Sequence, residues 1–178
     1  MAEVEVVDTR APDLQTLRAV RRLLIGAFGD TFSEHDWAHT LGGLHVLVRE
    51  DGELVGHGAV VERQLRTKGV TVCTGYVEAV AVRADRRGRG YGRLLMDALE
   101  RELNSGEYGM AALSSSARAV GFYLARGWQQ WLGPTAVATP DGLLRTADED
   151  GSVYVLEVDL GFDVWAELIC DWREGDVW

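Results

Sequence analysis

The sequence has little of several things that would mark a specialised class. It holds only two cysteines, Cys73 and Cys170. These are too few for a disulfide framework and lack metal-ligand spacing, so both are expected to be buried free thiols. Positive charge is scarce: 18 basic residues against 28 acidic ones give a formal charge of −10. That balance excludes a phosphate-tracking nucleic-acid surface, which needs clustered cations. No apolar run approaches membrane-spanning length, and the Met1–Val6 stretch lacks the basic and apolar segments of a signal peptide. The expectation is a soluble, cytoplasmic protein without nucleic-acid or membrane partners. Internal repeats, low-complexity tracts and linkers are also missing, so residues 1–178 are taken as a single domain.

What is present fits a packed globular protein: 178 residues, 47% hydrophobic, with six tryptophans. A net negative field concentrates cationic small molecules. It also simply keeps proteins soluble, so the charge informs only if carboxylates converge on one site.

Along the chain, Glu3–Val7 alternates like a short strand. After Pro12-Asp13, Leu14, Leu17, Val20, Leu24 and Phe28 recur at helical spacing, with Arg18, Arg21 and Arg22 on a solvated face. A second short helix is expected over Ser33–Thr40, capped by Ser33. Leu44–Arg49 and Leu54–Leu65 form a hairpin around Asp51-Gly52, and a third strand, Val70–Val82, follows Lys68-Gly69. A helix carrying Tyr91, Leu94, Leu95, Ala98, Leu99 and Leu103 on one face comes next. Met110–Leu113 is a strand, and Ser114–Ser116 caps a helix over Ala117–Arg126 that Gly127 ends. Trp128–Thr139 and Ser152–Asp159 are further strands, separated by a polar loop, Pro140–Gly151. The order β-α-α-β-β-β-α-β-α-β-β gives an α/β (α+β) mixed central sheet with helices on both faces. The step from Val82 to Met110 is read as a parallel crossover.

One stretch carries chemistry. Tyr76–Val82 sets a single carboxylate, Glu78, among apolar neighbours, and Arg87-Gly88-Arg89-Gly90-Tyr91-Gly92 then leads into a helix. Glycines let a backbone approach a ligand closely, and N–H groups at a helix start attract phosphate. Arg83, Arg86, Arg87 and Arg89 can add charge-assisted bonds. No Gly-Lys-Ser/Thr ending for an ATP loop is present, and the spacing is not that of a dinucleotide fold.

Val80-Ala81-Val82 followed by Arg87–Gly92 resembles the acetyl-CoA motif of the GCN5-related N-acetyltransferases (GNAT). Ala119–Trp128, with Tyr123 before Gly127-Trp128, is similar to that superfamily's second signature. Within it, Asp36-Trp37, His39–Gly43, Gly75–Glu78, Ala112–Arg118, Cys170–Arg173 and Gly175–Trp178 resemble the aminoglycoside 2'-N-acetyltransferases. The resemblance implies a GNAT fold and acetyl transfer from acetyl-CoA to a 2'-amine by direct attack in a ternary complex, conferring resistance. No metal is implied, because the thioester is already activated; a homodimer is.

It also implies roles for individual residues. Backbone amides along Val80, Ala81 and Val82 would hold the pantetheine and thioester, with the Val80 amide polarising the carbonyl. Arg87, Gly88, Arg89, Gly90, Tyr91 and Gly92 would hold the pyrophosphate. Glu78 would be the general base and Tyr123 would protonate the departing thiolate. Asp36, Glu78, Ser114, Glu149, Asp176 and Trp178, with the last through its terminal carboxylate, would bind the sugar. Three positions depart from the family pattern: Ala79 stands for a glycine, Thr31 for an aspartate and Glu149 for an aspartate. His35, His39, His45 and His57 show no ligand spacing and are read as structural. Two other readings stay open, namely the same chemistry on another amino-sugar or polyamine, and a non-catalytic acetyl-CoA sensor.

Overall fold

The structure, a computed structural model, describes residues 1–8, 13–157 and 161–178. It divides into two compact units, Met1–Val61 with Val77–Glu102, and Glu62–Tyr76 with Leu103–Trp178. The long strands β3 (Glu53–Thr67) and β4 (Val70–Val82) each contribute one half to either unit.

In the first unit, β1 (Ala2–Asp8) pairs antiparallel with β2 (Leu44–Glu50), and β2 with β3. Asp51-Gly52 and Lys68-Gly69 both have positive φ, at 51° and 81° and at 49° and 76°. Two-residue turns of that conformation match the twist of a hairpin, which is why the Asp-Gly signal could be read directly. Helix α1 (Leu14–Phe28) starts at Asp13, whose carboxylate accepts from the Gln15 and Thr16 amides; Pro12 lies outside the described residues. Its buried stripe is Val20, Leu23 and Leu24, packed with Leu47 and Ala81. Leu14 and Phe28, expected in that stripe, are 67% and 41% exposed. Arg21, expected to be solvated, lies half-buried over the Trp37 ring and pairs with Glu34, which fastens α2 (Glu34–His39) to α1.

Helix α3 (Tyr91–Leu103) lies on β3. A Cβ at Gly58 would meet Leu99 at 2.7 Å, and one at Gly56 would meet Leu95 at 3.0 Å, so the glycines let the helix seat closely. Leu95, Met96, Ala98 and Leu99 are buried, whereas Leu94 remains exposed.

In the second unit the strand order is β6-β9-β5-β4-β3-β10-β7-β8. The parallel β4–β5 ladder joins Thr74–Tyr76 to Met110–Ala112, as the crossover reading predicts, and leaves the Val77–Val82 half of β4 outside it. Antiparallel β9 (Val153–Glu157) lies between β5 (Met110–Ser114) and β6 (Gln129–Gln130). Val158 and Asp159, at the end of the expected strand, lie outside the described residues. β10 (Leu168–Asp171) pairs antiparallel with β3 and parallel with β7 (Thr135–Thr139), and β7 pairs antiparallel with β8 (Gly142–Arg145).

The mixed sheet of the sequence reading is therefore present, with three revisions. Trp128–Thr139 splits into β6 and β7; β8 forms where a polar loop was expected; β10 forms in a segment given no element. Helix α4 is also shorter, Val120–Leu124, and its N-cap is Ala119 without a side-chain bond rather than the serines. Its C-cap is Ala125, and Gly127, at φ 90°, lies in the turn that follows.

Candidate active site

The glycine turn belongs wholly to the first unit. Gly88 and Gly90 have φ of 75° and 87°, and a Cβ at either would meet nothing within 4 Å. Glycine is needed there for its backbone conformation rather than for space. α3 begins at the next residue, so its unsatisfied N–H groups follow the turn directly.

The four arginines separate into two pairs. Arg83 bonds Glu53 at 3.0 Å and Asp85 at 2.7 Å, and Arg86 bonds Glu50 at 2.9 Å and Asp85 at 2.6 Å. Both are thus committed to carboxylates. Arg87 reaches the Val82 carbonyl at 3.2 Å, and both Arg87 and Arg89 are exposed. Neither pairs with a carboxylate among the described residues. The cationic rim left for a phosphate is therefore Arg87 and Arg89. Tyr91 turns inward and donates its hydroxyl to Glu50, the last residue of β2. That bond, with the Arg86 guanidinium behind it, holds the Glu50 carboxyl below the usual carboxylate range. The Tyr91 side chain thus pins the helix start, and its backbone remains to face a ligand.

Beside the glycine-turn strand lies a pocket of about 180 Å³ lined by Phe28, Thr31, Phe32, Asp36, Glu78 and Ala79. Two carboxylates and two stacked aromatic rings, with Phe28–Phe32 centroids 5.9 Å apart, thus share one concavity. Phe28 ends α1, which explains its exposure, and a 3-10 turn over Gly29–Thr31 carries the chain round to α2. Thr31 rather than Asp30 lines the pocket. Asp36 serves the N-terminus of α2 in a capping box: Oδ2 accepts from the Ser33 amide and hydroxyl at 2.7 and 2.8 Å. Its Oδ1 accepts nothing from the described residues. Glu78 is half-buried, less enclosed than its valine neighbours suggested, because it faces this pocket.

Ala79 has φ 50° in the middle of β4. A non-glycine residue there costs about 1–2 kcal/mol, and strain of this kind persists only where its surroundings impose it. The Ala79 carbonyl meets a buried histidine that the sequence reading passed over as structural. The His57 Nδ1–H reaches the Ala79 carbonyl at 2.9 Å, His57 Nε2 lies 3.2 Å from His45 Nδ1, and the His45 Nε2–H reaches the Thr40 carbonyl at 2.7 Å. Burial pushes the His57 ring down to about 3 and the His45 ring below its ordinary value.

The second unit holds the other expected residues. Tyr123 is buried on α4, edge-on to Trp128 at 6.1 Å, and burial pushes its hydroxyl up to about 12. That hydroxyl makes no hydrogen bond with the described residues. Ser114 is exposed at the end of β5. Glu149 sits in a 3-10 turn and accepts from the Ser152 hydroxyl at 2.7 Å. Trp178 is buried: its indole donates to Thr146 at 2.9 Å, its amide donates to Asp176 Oδ1 at 3.0 Å, and Arg173 donates to its carbonyl at 2.9 Å. Arg63, itself buried against Tyr76 and paired with Asp171 at 2.9 Å, donates to the Val177 carbonyl at 2.8 Å. These bonds dock the last residues of the sequence, as the apolar character of Trp172, Val177 and Trp178 suggested, although Trp172 itself is 48% exposed. Both cysteines are free; Cys170 is buried and its thiol is pushed up to about 11 by burial, whereas Cys73 is only half-buried. Among the described residues no three His, Cys, Asp or Glu side chains converge as metal ligands.

Comparison with known proteins identifies the family. The acetyltransferase (GNAT) domain family matches residues 8–131. An aminoglycoside 2'-N-acetyltransferase from Mycolicibacterium fortuitum is 46% identical over 97% of this chain and 90% of its own. Two solved structures share the fold at low identity. A GNAT family N-acetyltransferase from Escherichia coli, in complex with CoA, has a TM-score of 0.67 at 17% identity and covers 97% of this chain and 90% of its own. A GNAT family acetyltransferase from Brucella melitensis, in complex with acetyl-CoA, has 0.62 at 16%, covering 93% and 94%.

Proposed function

The chain belongs to the GNAT acetyltransferase family, and from that premise we propose that it transfers the acetyl group of acetyl-CoA to the 2'-amine of aminoglycoside antibiotics, by direct attack in a ternary complex. The observation that carries this reading is the 46% identity to an aminoglycoside 2'-N-acetyltransferase over nearly the whole of both chains. The pocket supports it independently. Asp36 and Glu78 beside two aromatic rings suit a polycationic sugar, whose ammonium groups pair with carboxylates and whose ring faces pack on aromatic surface.

The glycine turn fits acetyl-CoA. Its left-handed glycines open the backbone, α3 contributes N–H groups, and Arg87 and Arg89 remain available for the pyrophosphate. When bound, acetyl-CoA supplies an already activated thioester. The Val77–Val82 half of β4, free of the β5 ladder, offers the Val80 and Val82 amides to the pantetheine and the reacting carbonyl. Glu78 takes the proton that the attacking ammonium must lose, directly or through water. Tyr123 stays protonated across the working range, because its hydroxyl sits near 12. It therefore carries a proton to give to the departing thiolate. Ser114, Glu149, Asp176 and Trp178, all in the second unit, are assigned to the sugar by the family resemblance.

Acetylation removes a positive charge and a donor from the drug and weakens its hold on ribosomal RNA. The enzyme acts in the cytoplasm as a homodimer, for which exposed Leu143 and Leu144 on the outermost strand β8 offer an apolar edge. CoA release measured across aminoglycosides, amino-sugars and polyamines tests the reading. Fastest turnover with 2'-amino aminoglycosides is expected; faster turnover of another amine would transfer the assignment to that substrate, and no release with any amine would leave a sensor.

A further inference from the structure

The histidine pair stands outside every role assigned so far. Thr40, His45, His57 and Ala79 form one run of contacts through the interior of the first unit, at 2.7, 3.2 and 2.9 Å. Both rings are buried, at 1% and 0% exposure. Among the described residues no carboxylate acts on either. Besides burial, His57 feels His45 and the Ala79 carbonyl, and His45 feels the Thr40 carbonyl.

Proton counting fixes the tautomers. The two end groups are carbonyls and only accept, so His45 Nε2 and His57 Nδ1 must each carry hydrogen for the end contacts to be bonds. Two neutral rings supply one N–H apiece, and both are then spent on the carbonyls. The ring-to-ring contact is the longest of the three, and the rings meet edge-on with centroids 4.9 Å apart. His45 Nδ1 and His57 Nε2 then face each other as two acceptors, so the ring-to-ring contact is edge-on packing and not a hydrogen bond.

What His57 holds is a strained position of the candidate site. Ala79 sits at φ 50° between Glu78, which faces the pocket, and Val80. A left-handed residue within a strand re-aims its neighbours relative to regular extended backbone. The bond from His57 to the Ala79 carbonyl is an outside contact of the kind that lets such strain persist.

We propose that His57, packed against His45, is a positioning residue: by holding the Ala79 carbonyl it keeps the left-handed Ala79 position of β4 in place and so aims the Glu78 carboxylate into the pocket. This rests on the acetyltransferase reading for its kinetic consequence, but the His57–Ala79 bond itself can be tested without activity.

In the kinetic test, His57→Leu removes the donor and keeps an apolar filler, whereas His57→Asn restores an amide N–H near the Nδ1 position. For folded His57→Leu, kcat with an aminoglycoside should fall about tenfold or more, since misplaced catalytic groups cost on that order. The acid limb of its pH–rate profile should shift, and acetyl-CoA KM should stay within about twofold. His57→Asn should recover most of the loss. Unchanged kcat and profile in His57→Leu, or an Asn variant no better than Leu, would overturn the proposal. In case neither variant folds, nitrogen-15 NMR of the wild-type imidazoles decides. Hydrogen on His57 Nδ1, with a carbonyl carbon shift for Ala79 marking an accepted bond, supports the clamp; hydrogen on Nε2 alone contradicts it. A wild type that acetylates no amine would refute the proposed function and leave that NMR result to judge the clamp.

Discussion

Two stretches of the first unit depart from ordinary backbone in the same direction and by different means. The cofactor turn uses Gly88 and Gly90 at φ 75° and 87° with open space around them. The β4 strand uses Ala79 at φ 50° with a buried histidine on its carbonyl. Glycine adopts that region without strain, so the turn's backbone angles need no clamp, although Tyr91 still ties the helix start to Glu50. Alanine does not, so the strand holds that conformation through a residue 22 positions away. The dihedral angles of the turn follow from its own residues, whereas that of Ala79 depends on the sheet that surrounds it.

The largest effect should separate the two stretches by kinetic parameter. Glu78→Gln, beside Ala79, is expected to lower kcat/KM about 10²- to 10³-fold, the range of a lost general base. It should also flatten the acidic limb of the pH–rate profile while leaving acetyl-CoA binding intact. Gly90→Val, in the turn, should do the reverse. Acetyl-CoA KM should rise about tenfold, and stability should fall by about 1–2 kcal/mol from the left-handed strain on a branched side chain. Calorimetric CoA titration of both variants reads the difference; a Glu78→Gln enzyme with weakened CoA binding and intact kcat would erase it.

A smaller effect lies in pH-dependent stability. His57 sits at about 3 in the folded protein against an ordinary 6.5. On acidification the unfolded chain takes up the proton first, so the stabilisation from a neutral His57 is fully present above 6.5 and is lost as the pH falls toward 3. Between those values the slope from this ring is about 1.4 kcal/mol per pH unit. Urea titrations from neutral to mildly acidic pH should show a shallower fall for His57→Leu than for the wild type. Parallel curves would mean that the ring is not buried neutral.

How much was legible in the sequence follows the same division. Asp51-Gly52, Lys68-Gly69 and Gly88–Gly90 announce turns because glycine's conformational freedom is written in its identity. Glu78 and Asp36 were legible as site residues, and they do share a pocket. The histidine pair was not, because it exists only through register. His45 lies opposite Ala59, two residues from His57, in a ladder that slips at Val48/Arg49. Arg83 and Arg86 looked like phosphate ligands until the fold supplied Glu53, Asp85 and Glu50. β8 and β10 span only four residues each, too short for alternation to stand out from loop.

The smallest expected effect concerns the alanine itself. Ala79→Gly removes the strain and adds backbone freedom to the unfolded chain, so stability should rise by no more than about 1 kcal/mol. Activity should hold, and dependence on His57 should weaken. A double variant, Ala79→Gly with His57→Leu, should therefore lose less kcat than His57→Leu alone. An equal loss would mean that His57 acts on something other than the Ala79 backbone.

The central claim is acetyl transfer to one particular amine. Two-dimensional NMR of the product formed from acetyl-CoA and an aminoglycoside with a free 2'-amine tests it most directly. The account predicts a single acetyl group on the 2'-nitrogen; an unmodified drug, or acetyl on a different amine, would contradict it.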